Sequence, residues 1–318
     1  MTSLELRVAR IDQLTPRIRR LILATVDGLP VPHHDAGAHI ELCVPASADT
    51  PVLHRAYSLA APADGGDCYE IAVQLEESGT GGSRWAHGLE VGAVVTASAP
   101  VNAFPLSDTA SAHLLLAGGI GITPILCMAR SLHRAGTPFE LHYAARSSDT
   151  AAYCAEVEAL PGSRCWFDGG DPLRGMPLPG VIGPPVEGRH LYVCGPKGFI
   201  GAVLDTARKQ GWDEAALHCE LFSGALDGKG DKPFTVALSR SGLSFEVAVG
   251  KTVMDVMEEA GLEPMFDCRR GECGICVTQV IEGEADHRDI CLSARERDAG
   301  GFCTCVSRAR TEHLVLDL

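Results

Sequence analysis

The rhythm of apolar and polar positions changes twice along the chain. From Leu4 to about Pro100, short β-rich runs at 39–44, 56–59, 70–75 and 94–99 are separated by Pro, Gly and Asp clusters. Evenly spaced short strands predict an antiparallel barrel or sandwich. From His113 to about Phe222, apolar strands at 113–116, 140–144 and 191–193 alternate with helical runs at 125–135, 151–160 and 199–210. That alternation predicts a parallel sheet with helical crossovers. Residues 223–232 lose all apolar periodicity in a Gly- and charge-rich run that reads as a flexible linker. Beyond it, 234–238 and 244–249 read as a strand pair. A helix follows from Thr252, with Asp255 completing a capping box, Val253, Val256, Met257 and Ala260 on one face, and Gly261 as its stop.

Composition narrows the class. The chain has 318 residues, 46% of them apolar and 21% charged, which fits two or three folded domains and excludes a disordered or collagen-like protein. Its 27 basic against 41 acidic residues give a net charge of −14, so no nucleic acid is expected as a partner. Residues 1–12 lack the pattern of a signal peptide. The longest apolar stretch, 114–129, is shorter than the ~20 residues of a membrane span and is interrupted by Gly118, Gly119, Gly121 and Pro124. A cytoplasmic protein that touches no membrane is expected. The 13 cysteines are odd in number and, in a reducing compartment, stay as thiols.

Three of those thiols, Cys268, Cys273 and Cys276, are spaced C-x4-C-x2-C, and 28 residues separate Cys276 from Cys305. This is the plant-type [2Fe-2S] spacing. Gly271 and Gly274 keep the loop free of bulk, so backbone N–H groups can reach the sulfurs. A four-cysteine zinc site is the alternative, although zinc ribbons present two C-x2-C knuckles and this segment has one. Cys303 competes for the fourth position. Cys43, Cys68, Cys127, Cys154, Cys165, Cys219 and Cys291 are expected to be isolated core residues.

Two turns carry nucleotide chemistry. The apolar run 114–117 enters Gly118-Gly119-Ile120-Gly121-Ile122-Thr123-Pro124 and a helical run begins at once, which suits a pyrophosphate at a helix N-terminus. Cys194-Gly195-Pro196 ends another strand of the same segment, on the same carboxyl edge. The third glycine of a dehydrogenase fingerprint is missing, and Arg146, with Asp149 nearby, replaces an acidic end to the second strand. In the first segment, Arg55-Ala56-Tyr57-Ser58 sets a cation, a ring and a hydroxyl on one strand, a combination suited to a flavin. Gly79-Thr80-Gly81-Gly82-Ser83 forms a further phosphate-shaped turn. His33, His34 and His287 lack metal-ligand spacing and are expected at the surface or in turns.

Taken in order, Arg55 to Ser58, Gly81 to Ser83, Gly118 to Pro124, Cys194 to Pro196, Glu220-Leu221-Phe222 and the four cysteines resemble the phthalate dioxygenase reductase family, which includes vanillate O-demethylase reductases. Asp286-His287-Arg288-Asp289 and Cys305-Val306-Ser307-Arg308 complete the likeness, which covers nearly the whole chain. The resemblance implies an FMN-binding β-barrel at 1–103, an NAD-binding α/β domain at 104–223, a linker at 224–232 and a β-grasp ferredoxin domain at 233–318. It implies electron flow from NADH through FMN and a [2Fe-2S] cluster to a Rieske-type terminal oxygenase. By motif match, Arg55, Ala56, Tyr57, Ser58, Val73, Gln74, Gly81, Gly82 and Ser83 would hold FMN. Gly119, Gly121, Thr123, Pro124, Arg146, Cys194, Gly195 and Pro196 would hold the nicotinamide cofactor, and Phe222 would lie on the flavin face. Ser58, Thr123, Cys194 and Phe222 would be closest to the reaction. Thr80 stands where many members have Arg, which leaves Arg55 or Arg84 to answer the phosphate.

Other readings stay open. A dihydroorotate dehydrogenase electron-transfer subunit has similar parts, but its last two cysteines lie closer together. Reductases of soluble multicomponent monooxygenases carry the ferredoxin segment first. A plain electron carrier or sensor with vestigial turns is the non-enzyme alternative. The 15 acidic and nine basic residues of 233–318, net −6, suit either an acidic docking face or a solvated surface. A monomer is expected.

Overall fold

A computed structural model describes residues 3–46, 51–62, 66, 68–77, 79, 81–222 and 230–318. Thr80 and most of the expected linker lie outside the described residues. The chain forms two compact units, Met1–Glu220 and Leu221–Leu318.

The first unit opens with an antiparallel sheet of β1 (Ser3–Thr15), β2 (Ile18–Thr25), β3 (Ala38–Val44), β4 (Leu53–Ser58), β5 (Cys68–Gln74), β6 (Val94–Ser98) and β7 (Val101–Asn102), with α1 (Gly82–His87) between β5 and β6. Strand order is β4-β3-β6-β1-β2-β5, with β7 pairing β3. Period-two alternation drives it: Ala38, Ile40, Leu42 and Val44 of β3 are buried while the residues between them are half-exposed. A bridge from Leu59 to Ile71 brings the two ends of the sheet together, so the strands curl around Leu6, Val8, Leu21, Leu23, Ile40 and Ile71. His34, expected at the surface or in a turn, is buried in the segment between β2 and β3, with its ring against the edge of Tyr69.

Next come β8 (Ala112–Gly118), α2 (Ile122–Ala135), β9 (Phe139–Ala145), α3 (Cys154–Glu158), β10 (Ser163–Phe167), α4 (Leu178–Ile182), β11 (Arg189–Cys194), α5 (Lys197–Lys209) and β12 (Leu217–Glu220). They build a parallel sheet in the order β10-β9-β8-β11-β12. The order runs one way from β8 to β10 and the other way through β11 and β12, so the switch point falls between β8 and β11. Leu114, Leu115 and Leu116 of β8 are fully buried, as a central parallel strand requires. The expected helix at 151–160 shrinks to α3, because Ala151, Ala152 and Tyr153 are drawn into the core and Tyr153 takes φ 63°.

One continuous core joins the two layers. Ile18, Ala36, Ala60, Ala72 and Phe104 from the barrel side pack with Leu115, Ile122, Ile125 and Tyr192. Arg130 of α2 donates to the Ala60 carbonyl at 2.9 Å and pairs with Glu70 of β5 at 3.4 Å.

On the sheet, His190 and His218 are hydrogen-bonded at 2.9 Å, and His218 stacks on Tyr192 with ring centres 4.4 Å apart. Burial, then His190 and His113, push His218 down to about 4 from 6.5. The unfolded chain therefore takes up this proton first, so the stability tied to neutral His218 is complete above pH 6.5 and is lost as pH falls towards 4. Thermal unfolding of the first unit, followed by near-UV circular dichroism, should drop in midpoint between pH 7 and 5, and drop less in His218→Gln. An equal drop in both proteins would refute the assignment.

The second unit holds β13 (Phe234–Leu238), β14 (Leu243–Val247), α6 (Val253–Glu259), β15 (Val277–Glu282), β16 (Ala285–Asp286), α7 (Ala294–Asp298), β17 (Gly301–Cys303), β18 (Arg308–Ala309) and β19 (His313–Leu316). Its five-stranded sheet runs β14-β13-β19-β15-β17, with β13 parallel to β19 and antiparallel to β14. This is a β-grasp arrangement, with α6 seated on Phe234, Val236, Phe302, Leu314 and Leu316. The expected capping box is present: Thr252 Oγ1 accepts from Asp255 N–H at 3.1 Å, and the Asp255 carboxylate accepts from Thr252 N–H at 2.8 Å.

Candidate functional site

The barrel brings the flavin candidates into one neighbourhood. Gly81 takes φ 104° at the start of α1, a conformation glycine adopts without strain. A Cβ on the next residue, Gly82, would fall 2.8 Å from Arg55 Cγ, so the β4 arginine lies directly on this turn. Ser83 Oγ accepts from Glu76 N–H at 3.0 Å, and His87 meets the Val73 carbonyl at 2.9 Å, fixing α1 beside β5. Ser58 and Val73 are buried, Tyr57 and Gln74 half-buried and Ala56 exposed. Burial pushes the Tyr57 phenol up to about 12 against the pull of Arg55, so it stays a hydrogen-bond donor at neutral pH.

At the switch point, β8 and β11 end in turns that touch backbone to backbone. A Cβ on Gly121 would sit 2.4 Å from the Cys194 carbonyl, and one on Gly195 would sit 2.9 Å from Gly118 Cα. By contrast, Gly119, at φ 55°, has open space where its side chain would be. That space and the first-turn N–H groups of α2 suit a pyrophosphate. Thr123 is buried and donates to the Ile120 carbonyl at 3.0 Å, so it braces the turn. Cys194 is fully buried, and Arg146 is exposed beyond β9. The barrel strand β5 packs against the turn Gly119–Gly121, so the flavin and nucleotide candidates adjoin. Phe222 belongs to the second unit and is 43% exposed.

The second unit gathers thiols. Cys276 and Cys305 have their sulfurs 3.2 Å apart, and Cys268 Sγ accepts N–H bonds from Arg270 and Glu272 at 3.3 and 3.4 Å. Arg269, Gly271 and Gly274 all have positive φ, which turns those N–H groups inward. A Cβ on Gly271 would strike Val306 Cγ2 at 2.7 Å and Asp289 Cα at 2.9 Å. The Cys276 thiol is in contact with both Cys303 and Cys305, which hold it below its ordinary range while their own thiols are pushed up. Cys268 in contact with Cys273, Cys276 in contact with Cys305, and N–H donors on the Cys268 sulfur fit the loop of a [2Fe-2S] cluster.

Sequence reasoning named Asp289, Ser307 and Arg308 only as part of the family likeness and gave them no task. Fully buried Asp289 accepts from Ser307 at 3.2 Å and pairs with Arg297 at 3.0 Å, while the Gly271 carbonyl accepts from Ile290 at 2.9 Å. Buried Arg308 pairs with Asp231 at 3.4 Å and donates to the Lys232 and Ala248 carbonyls. The expectation of isolated core cysteines is corrected at three places. Cys68 is exposed, Cys291 lies 3.3 Å from Cys303, and Cys154 lies 3.3 Å from Cys165. Each pair joins segments 11 or 12 residues apart that meet only through the tertiary fold.

Comparison with known proteins fits this geometry. A family described as 2Fe-2S iron-sulfur cluster binding domain matches residues 236–310, and one described as dimethylamine monooxygenase subunit DmmA-like, N-terminal domain, matches residues 95–217. Vanillate O-demethylase oxidoreductase of Pseudomonas sp. (strain HR199 / DSM 7063) is 39% identical over 99% of this chain and 100% of its own. The solved structure of phthalate dioxygenase reductase, described as a modular structure for electron transfer from pyridine nucleotides to [2Fe-2S], is 34% identical with a TM-score of 0.69, covering 99% of this chain and 98% of that one. The chain belongs to the phthalate dioxygenase reductase family. Another relative, the heme-dependent oxidative N-demethylase beta subunit of Ectopseudomonas mendocina (strain ymp), is 38% identical over 100% of this chain and 99% of its own. The reductase is thus an oxidoreductase with a 2Fe-2S domain, which answers the zinc alternative for the second unit.

Proposed function

We propose that the protein is the reductase component of a Rieske-type aromatic oxygenase or O-demethylase system, taking electrons from NADH through FMN and a [2Fe-2S] cluster and delivering them singly to the oxygenase. The observation that carries this is β5, the flavin strand, packed on the Gly119–Gly121 turn at the switch point. When bound, the flavin supplies conversion of a two-electron hydride into single electrons for the cluster.

The chain's own residues do the placing. Arg55 and the Gly81, Gly82 and Ser83 turn hold the flavin phosphate, while Ala56, Tyr57, Ser58, Val73 and Gln74 line its ring. Gly119, Gly121, Thr123 and Pro124 seat the pyrophosphate. By motif match, Cys194, Gly195 and Pro196 would serve the nicotinamide, Arg146 the cofactor's adenosine end, and Phe222 the flavin. Cys268, Cys273, Cys276 and Cys305 ligate the cluster. Met265, Phe266, Cys273 and Ile275 of the same segment are all exposed, and Arg269, paired with Glu258, lies over the Phe266 ring at 3.9 Å. This apolar collar with one cation suits a docked protein better than a uniformly acidic face does.

We read the protein as a cytoplasmic monomer; among the described residues no helix is long and apolar enough to cross a membrane. The near-equal likeness to the N-demethylase beta subunit supports a second reading in which the acceptor is heme-dependent. An anaerobic visible spectrum before and after NADH, with NADPH in parallel and the released flavin identified, tests the route. NADH should bleach the flavin and cluster bands together, and the flavin freed by denaturing the protein should be FMN. A flavin band that bleaches alone would sink the cluster step, and no response would sink the reading.

A further inference from the structure

At the β10 edge of the parallel sheet, α3 and β10 bring three soft or anionic donors together. Cys154 and Glu158 lie one turn apart on α3, so their side chains share a face. Cys165, on β10, has its sulfur 3.3 Å from that of Cys154. The two sulfurs and a Glu158 carboxylate oxygen all lie within 4.8 Å of one another. Both cysteines are half-buried and Glu158 is exposed, so the group is open on one side only.

We infer that Cys154, Glu158 and Cys165 form a binding site for a thiophilic divalent cation of the zinc class, distinct from the iron–sulfur loop. A tetrahedral zinc with ligands at about 2.3 Å sets two sulfurs roughly 3.8 Å apart. The observed 3.3 Å separation needs an opening of about half an ångström to reach that geometry, whereas a disulfide needs a closing of more than ~1 Å. Two thiolates and one carboxylate match such a cation, with water in the fourth position on the open side. Binding replaces two S–H bonds by two metal–sulfur bonds, releases two protons to solvent and moves no electrons. Both thiols must be deprotonated to ligate, so the metal competes with their protons. Affinity therefore rises with pH.

The site clamps a short helix to a sheet edge. Tyr153, immediately before α3, holds φ 63°, and Cys165 pairs in register with Tyr143 of β9. A bound cation ties α3 to β10 and raises the unfolding temperature of the first unit by mass action.

The test uses the reduced, desalted holoprotein, titrated with Zn²⁺ against a chromophoric chelator, with zinc and iron counted by atomic emission. One zinc per chain should bind with iron and flavin retained. Cys154→Ser and Cys165→Ser should each weaken binding by at least about 100-fold, and Glu158→Gln by about tenfold. If a serine variant loses its flavin, Co²⁺ added to the unmodified protein decides instead, since thiolate ligation gives a charge-transfer band that carboxylates and histidines do not. Zinc uptake that survives both serine changes, zinc that enters only by expelling iron, no cobalt–thiolate band, or a Cys154–Cys165 disulfide with no zinc taken up would each overturn the site.

Discussion

Changing Cys276 to serine is expected to abolish iron binding and electron delivery to a one-electron acceptor, while NADH still bleaches the flavin at a rate within about twofold of the unmodified protein. The loss should exceed the roughly 10- to 100-fold cost of mutating a residue that only supports a ligand. Cys276 lies 3.2 Å from Cys305 and takes a further contact from Cys303, so the comparison that matters is Cys303→Ser. Cys303 is fully buried, with its sulfur 3.3 Å from Cys291. Its serine variant should keep iron and the visible spectrum. If Cys303→Ser loses the cluster and Cys305→Ser keeps it, the fourth ligand has been misassigned.

The second large effect is expected from Gly121→Ala. Its new Cβ would meet the Cys194 carbonyl carbon and oxygen at 2.4 Å and Gly195 N at 2.6 Å. Backbone atoms held in a parallel sheet cannot rotate away, so the two turns must separate, at a cost of about 1–3 kcal/mol. If that strain falls on the nucleotide site, NADH affinity drops roughly 10- to 100-fold, at 1.4 kcal/mol per decade. Flavin content should hold, because Arg55 and the Gly82 turn lie in the barrel. Gly201→Ala is the control: it sits in α5 with open space at its Cβ and should leave NADH binding unchanged. Stopped-flow flavin reduction at varied NADH reads both. Equal behaviour of the two variants would refute the close approach of the turns as the basis of nucleotide binding.

What the sequence revealed was whatever chemistry is local. The C-x4-C-x2-C run, the Thr252 and Asp255 cap and the glycine turn after β8 each lie within a dozen residues, so spacing alone signals them. Strand β10 was not visible, because Ser163 and Arg164 break its apolar pattern and an edge strand needs little of one. Helix α3 was overestimated because Ala151 and Ala152 have high helix propensity, yet packing draws them into the core in another conformation. The thiol pairs were invisible for a related reason, since a strand and the element beside it become neighbours only once the sheet exists. Asp289 stood in a run that completed the family likeness, but its task became visible only in its burial against Ser307 and Arg297, beneath the thiol loop.

The shared core of barrel and parallel sheet has a consequence for how this molecule fails. Ile18, Ala60 and Phe104 are packed with Leu115, Ile122 and Tyr192, and Arg130 bolts α2 to β5. Neither layer can melt without exposing the other's apolar surface, so unfolding of the first unit should be a single cooperative event. Heat or denaturant should therefore switch off the electron entrance all at once. A partly unfolded form that keeps the flavin barrel while the parallel sheet has melted has no stable structure to occupy.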